Sequence, residues 1–162
     1  QDASCFTDGK GRAVVGADVI YSFENIYTKE ISNRAYLNFI NTVKGGEEFY
    51  EGTAAKISGI TSNGNQVVFE VLEPSSVFIQ KLATIFATIV PHESFETTEY
   101  VPVGTGPFVY DKSSNSELVK LARNENFWGT DGEGNQLPYL DSVQFEYYEN
   151  SDDQMDNFWG GG

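Results

Sequence analysis

Apolar positions along the chain follow two rhythms, one close to the helical repeat and one close to the strand repeat, and the two alternate from the first residues to the last. Over residues 18–27, Val19, Phe23 and Ile26 fall on one helical face, with Asp18 in the first turn, where the helix dipole favours an anion. A second helix is predicted from a cap at Ser32 or Asn33 to Lys44, carrying Tyr36, Ile40 and Val43 on one stripe and stopped by Gly45-Gly46. Residues 47–50 add a short helical turn. Residues 55–61 and 66–72 then read as a hairpin around Asn63-Gly64, a pair suited to positive φ, with Val67, Phe69 and Val71 on the buried face.

Residues 75–89 carry the clearest helical stripe. Phe78, Leu82, Ile85, Phe86 and Ile89 recur at i, i+4, i+7, i+8 and i+11, which predicts one core helix ended by Pro91. After a loop over 95–103 the rhythm changes to strands at 108–111, 118–122 and 143–148, the last with Val143, Phe145 and Tyr147 alternating inward. Asp131-Gly132-Glu133-Gly134-Asn135 is a turn-rich loop between them. Helices together with hairpin strands define an α+β chain.

Charge narrows the partners. Asp and Glu total 24 against 10 Lys and Arg, for a net charge of −14, and no Lys or Arg follows Arg123. A field of that sign repels polyphosphate, so no nucleic-acid partner is expected. The bland account of the acidic residues is a solvated, solubilising surface. With 40% hydrophobic and 14% aromatic residues the chain can build a core, and no apolar run reaches the roughly 18 residues of a membrane span.

Candidate chemistry is sparse. The Asp131 loop alternates oxygen ligands like a calcium loop, but Gln136 and Ser142 stand where that motif needs Gly and Glu, and Lys10 spoils Asp8-Gly9-Lys10-Gly11 in the same way. One Cys and one His fall short of a structural zinc site, so neither metal nor cofactor is expected. A nucleophilic pairing of Cys5 with His92 lacks a third, orienting group, and the adjacent Asp152 and Asp153 do not converge across a bond as glycosidase carboxylates must. The sequence predicts no catalytic residue and no enzyme.

The most informative stretch is Gly104-Thr105-Gly106-Pro107-Phe108, followed by the strand-like run to Ala122 and closed by Arg123-Asn124-Glu125-Asn126-Phe127-Trp128. A phosphate loop would place Lys and Ser or Thr after its last glycine and open a helix, whereas Pro107 holds this exit extended. The two glycines can take backbone angles closed to other residues and read as architectural, in a tight entry into a sheet. With the Gly11–Phe23 stretch containing Ala17-Asp18-Val19-Ile20-Tyr21-Ser22-Phe23, with Glu73-Pro74-Ser75-Ser76-Val77-Phe78 leading to Ile89-Val90-Pro91, and with Leu140-Asp141-Ser142-Val143, these motifs stand in an order that resembles the dipeptide/oligopeptide-binding family of solute receptors serving ABC importers (bacterial family 5).

That resemblance implies part of lobe one of a two-lobed periplasmic-binding-protein-like fold, a mixed sheet with packed helices. It implies a small subdomain at 1–102 and part of a larger sheet subdomain at 103–162, ending near the hinge. Family members are much longer, so the chain is expected to be a fragment entered in mid-domain. The implied activity is capture of peptides, or similar small solutes, outside the cytoplasm and delivery to ABC permease subunits in the membrane, by a periplasmic receptor that is lipid-anchored at full length. Tyr36 and, beside it, Asn33 stand about where relatives offer side chains to the peptide, although Tyr36 also lies on the apolar stripe of its helix. Strand edges at 108–122 or 143–148, paired in a whole receptor, are expected to favour dimerisation of a fragment. Two alternatives remain at this point: a stand-alone interaction module with an acidic, aromatic surface, and the same receptor fold holding a non-peptide solute.

Overall fold

A computed structural model describes residues 12–26, 28, 39, 41–64, 66–95 and 102–160. These divide into two compact units, Ala13–Tyr100 and one built on Val101–Gly162.

In the first unit, α1 (Gly16–Ile26) packs on a hairpin of β1 (Ile60–Asn63) and β2 (Gln66–Phe69). The pairing is antiparallel, Ile60 opposite Phe69 and Asn63 opposite Gln66, and Gly64 takes φ +60° at the turn. Alternation along β2 turns Val67 and Phe69 toward the core and leaves Val68 exposed. The core comprises Phe23, Phe39, Val43, Ile57, Ile60 and Phe78, and the Phe23 ring stands edge-on to Phe39 at 5.3 Å and to Phe69 at 5.1 Å. Such T-shaped contacts add to the burial of apolar area that drives the unit together.

Most of the helix predicted over 32–44 lies outside the described residues. At its end Val43 instead bridges Val71 in the antiparallel sense, and Lys44 joins two segments, its N–H donating to the Glu70 carbonyl and its carbonyl accepting from Gly59. Gly45, at φ +77°, then turns the chain into α2 (Gly46–Tyr50). The helical stripe at 75–89 does not form one helix. It is split into α3 (Phe78–Leu82) and a 3₁₀ turn at Ile85–Ala87, because Thr84 is extended (φ −87°, ψ 161°) between them. The Thr84 and Thr88 hydroxyls donate back to the Lys81 and Ile85 carbonyls, a local competition with the helical ladder. Phe78, Leu82, Phe86 and Ile89 still face the core, whereas Ile85 is turned out to 82% exposure.

The second unit holds a sheet of β3 (Phe108–Tyr110), β4 (Leu118–Arg123) and β5 (Ser142–Glu146) in that order, followed by α4 (Ser151–Gly160). All pairings among the described strands are antiparallel, where the resemblance implies a mixed sheet. The β1–β2 and β3–β4 connections are too short for the crossover that a parallel pair needs, and β5 returns antiparallel to β4 after the longer segment 124–141. Val143 is half-buried, but Phe145 and Tyr147 are exposed rather than inward. Asn150 caps α4, its Oδ1 accepting the Asp152 and Asp153 N–H groups at 3.0 and 2.9 Å.

Candidate functional site

The start of α1 is built around a buried carboxylate. The Val15 N–H donates to Asp18 Oδ2 at 2.9 Å, the one half of a capping box that an apolar first residue allows, and the Asp18 N–H donates to the Val15 backbone carbonyl at 3.0 Å. Asp18 is completely buried, and burial of a charge is tolerated only with partners. Its second oxygen, Oδ1, faces the segment after the buried Pro91. The His92 N–H lies 3.4 Å from it and the His92 imidazole Nδ1 lies 3.2 Å from it, across 74 residues of sequence.

Glu93 Oε2 stands 3.5 Å from the same Nδ1, and the Tyr21 ring meets the imidazole edge-on at 6.2 Å. One turn along α1, Ser22 Oγ donates to the Asp18 carbonyl at 2.7 Å and accepts the Val90 N–H at 2.9 Å. That hydroxyl is held between two backbone groups and is not poised as a nucleophile. The His92 and Glu93 side chains are each about half exposed (45% and 49%), so the cluster is buried on its Asp18 side and open to water on the other.

In the second unit the motif that dominates the sequence is a self-bracing turn. Buried Asn124 donates Nδ2 to the Gly106 carbonyl at 2.8 Å, donates its N–H to the Pro107 carbonyl at 2.9 Å, and accepts the Asn126 N–H on Oδ1 at 3.0 Å. Arg123 beside it donates Nη2 to the Tyr139 carbonyl at 2.8 Å and to Asp141 Oδ1 at 2.5 Å. Gly104 and Gly106 do not use the left-handed angles open to glycine, and neither has an atom within 4 Å of where a Cβ would stand. The bend is set by Asn124 and Pro107 instead.

The Asp131 loop closes on its own carboxylate. Oδ1 accepts the Glu133 and Asn135 N–H groups at 2.8 Å each, and Oδ2 accepts Asn135 Nδ2 at 2.8 Å and the Tyr139 hydroxyl. The Tyr139 bond, then those of Asn135, holds the Asp131 carboxyl far below its ordinary range; the same bond to Asp131 raises Tyr139.

Tyr36 and Asn33, the predicted ligand contacts, lie outside the described residues, as does Cys5. The Asp18, His92 and Glu93 cluster was not legible as a unit, since only the fold joins a helix start to a segment 74 residues away. Several large apolar side chains of the second unit are exposed, among them Trp128, Tyr139, Leu140, Phe158 and Trp159.

The architecture is that of solute receptors. The murein tripeptide binding protein MppA, in its unliganded open form, superposes with a TM-score of 0.83 over 99% of this chain and 32% of its own, at 18% identity. The chain belongs to the bacterial extracellular solute-binding proteins, family 5, whose middle-region model matches residues 2–162. That family is made of solute-binding proteins. A dipeptide-binding protein of Escherichia coli (strain K12) is 26% identical over 141 residues, covering 79% of this chain and 24% of the relative. The nickel-binding protein NikA of Staphylococcus aureus (strain NCTC 8325 / PS 47) is 25% identical over 101 residues, 62% of this chain and 19% of the relative. The chain thus spans a quarter or less of these relatives' length.

Proposed function

We propose that this chain is part of lobe one of an extracytoplasmic receptor that captures peptides and delivers them to the permease of an ABC importer. The observation that carries the reading is the family match across residues 2–162, together with a dipeptide-binding relative aligned over most of the chain. An extended peptide offers main-chain donors and acceptors whatever its sequence, so strand edges, fixed polar groups and bridging waters give affinity with tolerance of side chains. Closure of two lobes about a hinge then reports occupancy to the membrane partner.

On this reading residues 1–102 are the small subdomain and 103–162 belong to the larger sheet subdomain. Tyr36 and Asn33 contact the ligand, no catalysis is involved, and the whole receptor is periplasmic and lipid-anchored. The groups that fix peptide termini lie in the other lobe, so the 162-residue chain alone binds peptide weakly. Because β4 pairs on both sides, the open edges among the described strands of this unit are those of β3 and β5 rather than all of 108–122; these edges favour dimers, and a monomer independent of concentration in sedimentation would remove that part. The nickel-binding relative supports a second cargo, a non-peptide solute held by the same fold.

Native mass spectrometry of the receptor purified without added ligand separates the readings. Released short peptides of mixed sequence are expected; a single non-peptide mass would change the cargo, and a co-purifying macromolecule in an otherwise empty receptor would replace the receptor reading with an interaction module.

A further inference from the structure

We propose that Asp18, His92 and Glu93 bind a first-row divalent cation of the zinc class, through Asp18 Oδ1, His92 Nδ1 and Glu93 Oε2. The ligand atoms all lie within 4.8 Å of one another, and Nδ1 stands 3.2 Å from Asp18 Oδ1 and 3.5 Å from Glu93 Oε2. Tetrahedral bonds of about 2.0–2.1 Å place neighbouring ligand atoms about 3.3 Å apart, so both measured edges already have the length such an ion requires. The third edge closes by rotation of the half-exposed Glu93 side chain.

The donor set selects the ion. One imidazole nitrogen with two carboxylates suits zinc and its first-row neighbours, whereas calcium and magnesium demand six or more oxygens. Two carboxylates balance the charge of a divalent ion, in a chain whose net charge of −14 draws cations generally. The ligands are braced before any ion arrives: the Val15 N–H fixes Asp18 Oδ2, leaving Oδ1 aimed at the imidazole, and Ser22 ties the helix carrying Asp18 to Val90 beside Pro91. On binding, the ion occupies the Nδ1 lone pair of the neutral imidazole, whose single ring proton then stands on Nε2, and water completes the fourth position on the exposed side. The ion would cross-link the start of α1 to the segment after Pro91.

The 162-residue chain contains a single histidine, so its imidazole nitrogens give unambiguous NMR signals. Titration with zinc chloride alone, followed by calorimetry and by ¹⁵N spectra of that ring, is expected to show one ion per chain, a metal-induced shift at Nδ1 rather than Nε2, and a raised melting temperature. Calcium and magnesium are expected to do none of this. His92→Gln should abolish zinc binding, and Glu93→Gln, at an exposed position that leaves the fold intact, should weaken it about tenfold. Absence of saturable binding, a shift confined to Nε2, or unchanged affinity in Glu93→Gln would overturn the proposal. Since the probe is zinc without peptide, failure here leaves the receptor reading untouched.

Discussion

Asn124 reaches back 18 residues to hold the Gly106 carbonyl at 2.8 Å, so the turn that enters the second unit's sheet is fastened by the residue that follows β4. Asn124 is 3% exposed and its side chain is satisfied at both ends, so its removal breaks two part-buried hydrogen bonds, to the Gly106 carbonyl and from the Asn126 N–H. Asn124→Ala is expected to cost about 1–3 kcal/mol in urea unfolding. Asn124→Asp keeps the acceptor for Asn126 and loses the donor to Gly106, and should destabilise as well. A melting temperature equal to wild type in both variants would show that the turn is held by Pro107 alone.

The Asp131 loop predicts a direction of acid sensitivity. Because the hydrogen bonds of Tyr139 and Asn135 depress the Asp131 carboxyl from its ordinary value of 3.8, the folded loop binds its proton less readily than the unfolded chain does. The stabilisation is therefore complete above the ordinary carboxylate range and is lost as pH falls below it toward the depressed folded value. Carboxyl-detected NMR should find Asp131 still ionised at about pH 3, where free aspartates are largely protonated. Tyr139→Phe removes the largest cause and should move the Asp131 titration upward; no movement would mean that the phenol does not donate to it in solution.

Gly59 is a site of close approach. A Cβ there would stand 2.5 Å from the Lys44 carbonyl oxygen and 2.9 Å from that of Glu70, both backbone atoms engaged in the bonds that join the hairpin to residues 42–44. Gly59→Ala is expected to destabilise the first unit by about 1–3 kcal/mol through forced separation of these segments. Gly132→Ala, with open space at the Cβ position and no positive φ, serves as the neutral control. Equal melting temperatures for the two variants would contradict the crowding seen at Gly59.

Phe23 and Ile85 test where the core ends. Phe23 is 1% exposed between the Phe39 and Phe69 rings, and Phe23→Ala should cost about 3–5 kcal/mol. Ile85 is 82% exposed, so Ile85→Ala should change stability by less than about 0.5 kcal/mol, although an unbroken helix over 75–89 would bury it. A large loss at Ile85 would restore the continuous helix.

That contrast shows how far the sequence could be read. The 3.6-residue spacing of Val19 and Phe23 and the alternation of Val67 and Phe69 identified α1 and the hairpin because each element buries the face its own pattern defines. The stripe at Phe78, Leu82, Phe86 and Ile89 was legible as core, but the interruption at Thr84 was not, since it depends on hydroxyl bonds that compete with the helix ladder. Alternation at Val143, Phe145 and Tyr147 predicts an inward face, yet Phe145 and Tyr147 are exposed, because alternation reports only which side chains share a face and not whether a layer covers it. Asp18 was legible as a helix-start anion through the dipole, yet its tie to His92 required tertiary structure, and the family motifs identified the receptor class more sharply than any periodicity.

The helix α4 carries the remaining prediction. All ten of its residues are exposed, including Met155, Phe158 and Trp159, so among the described residues it has no packed face to stabilise it. A helix of that length is marginal in water on propensity alone, and its support is local. Asn150 supplies that support: Oδ1 accepts two first-turn N–H groups, and Nδ2 donates to Asp153 Oδ2 at 2.7 Å, while Asp152 and Asp153 complement the helix dipole. Asn150→Ala should therefore remove about 1 kcal/mol of local helix stability, enough to fray α4 without lowering the melting temperature of the sheet. Hydrogen exchange would show it as faster exchange at amides 155–160 with β4 and β5 unchanged. If those amides keep their protection in the variant, α4 is held by packing against another surface rather than by its cap.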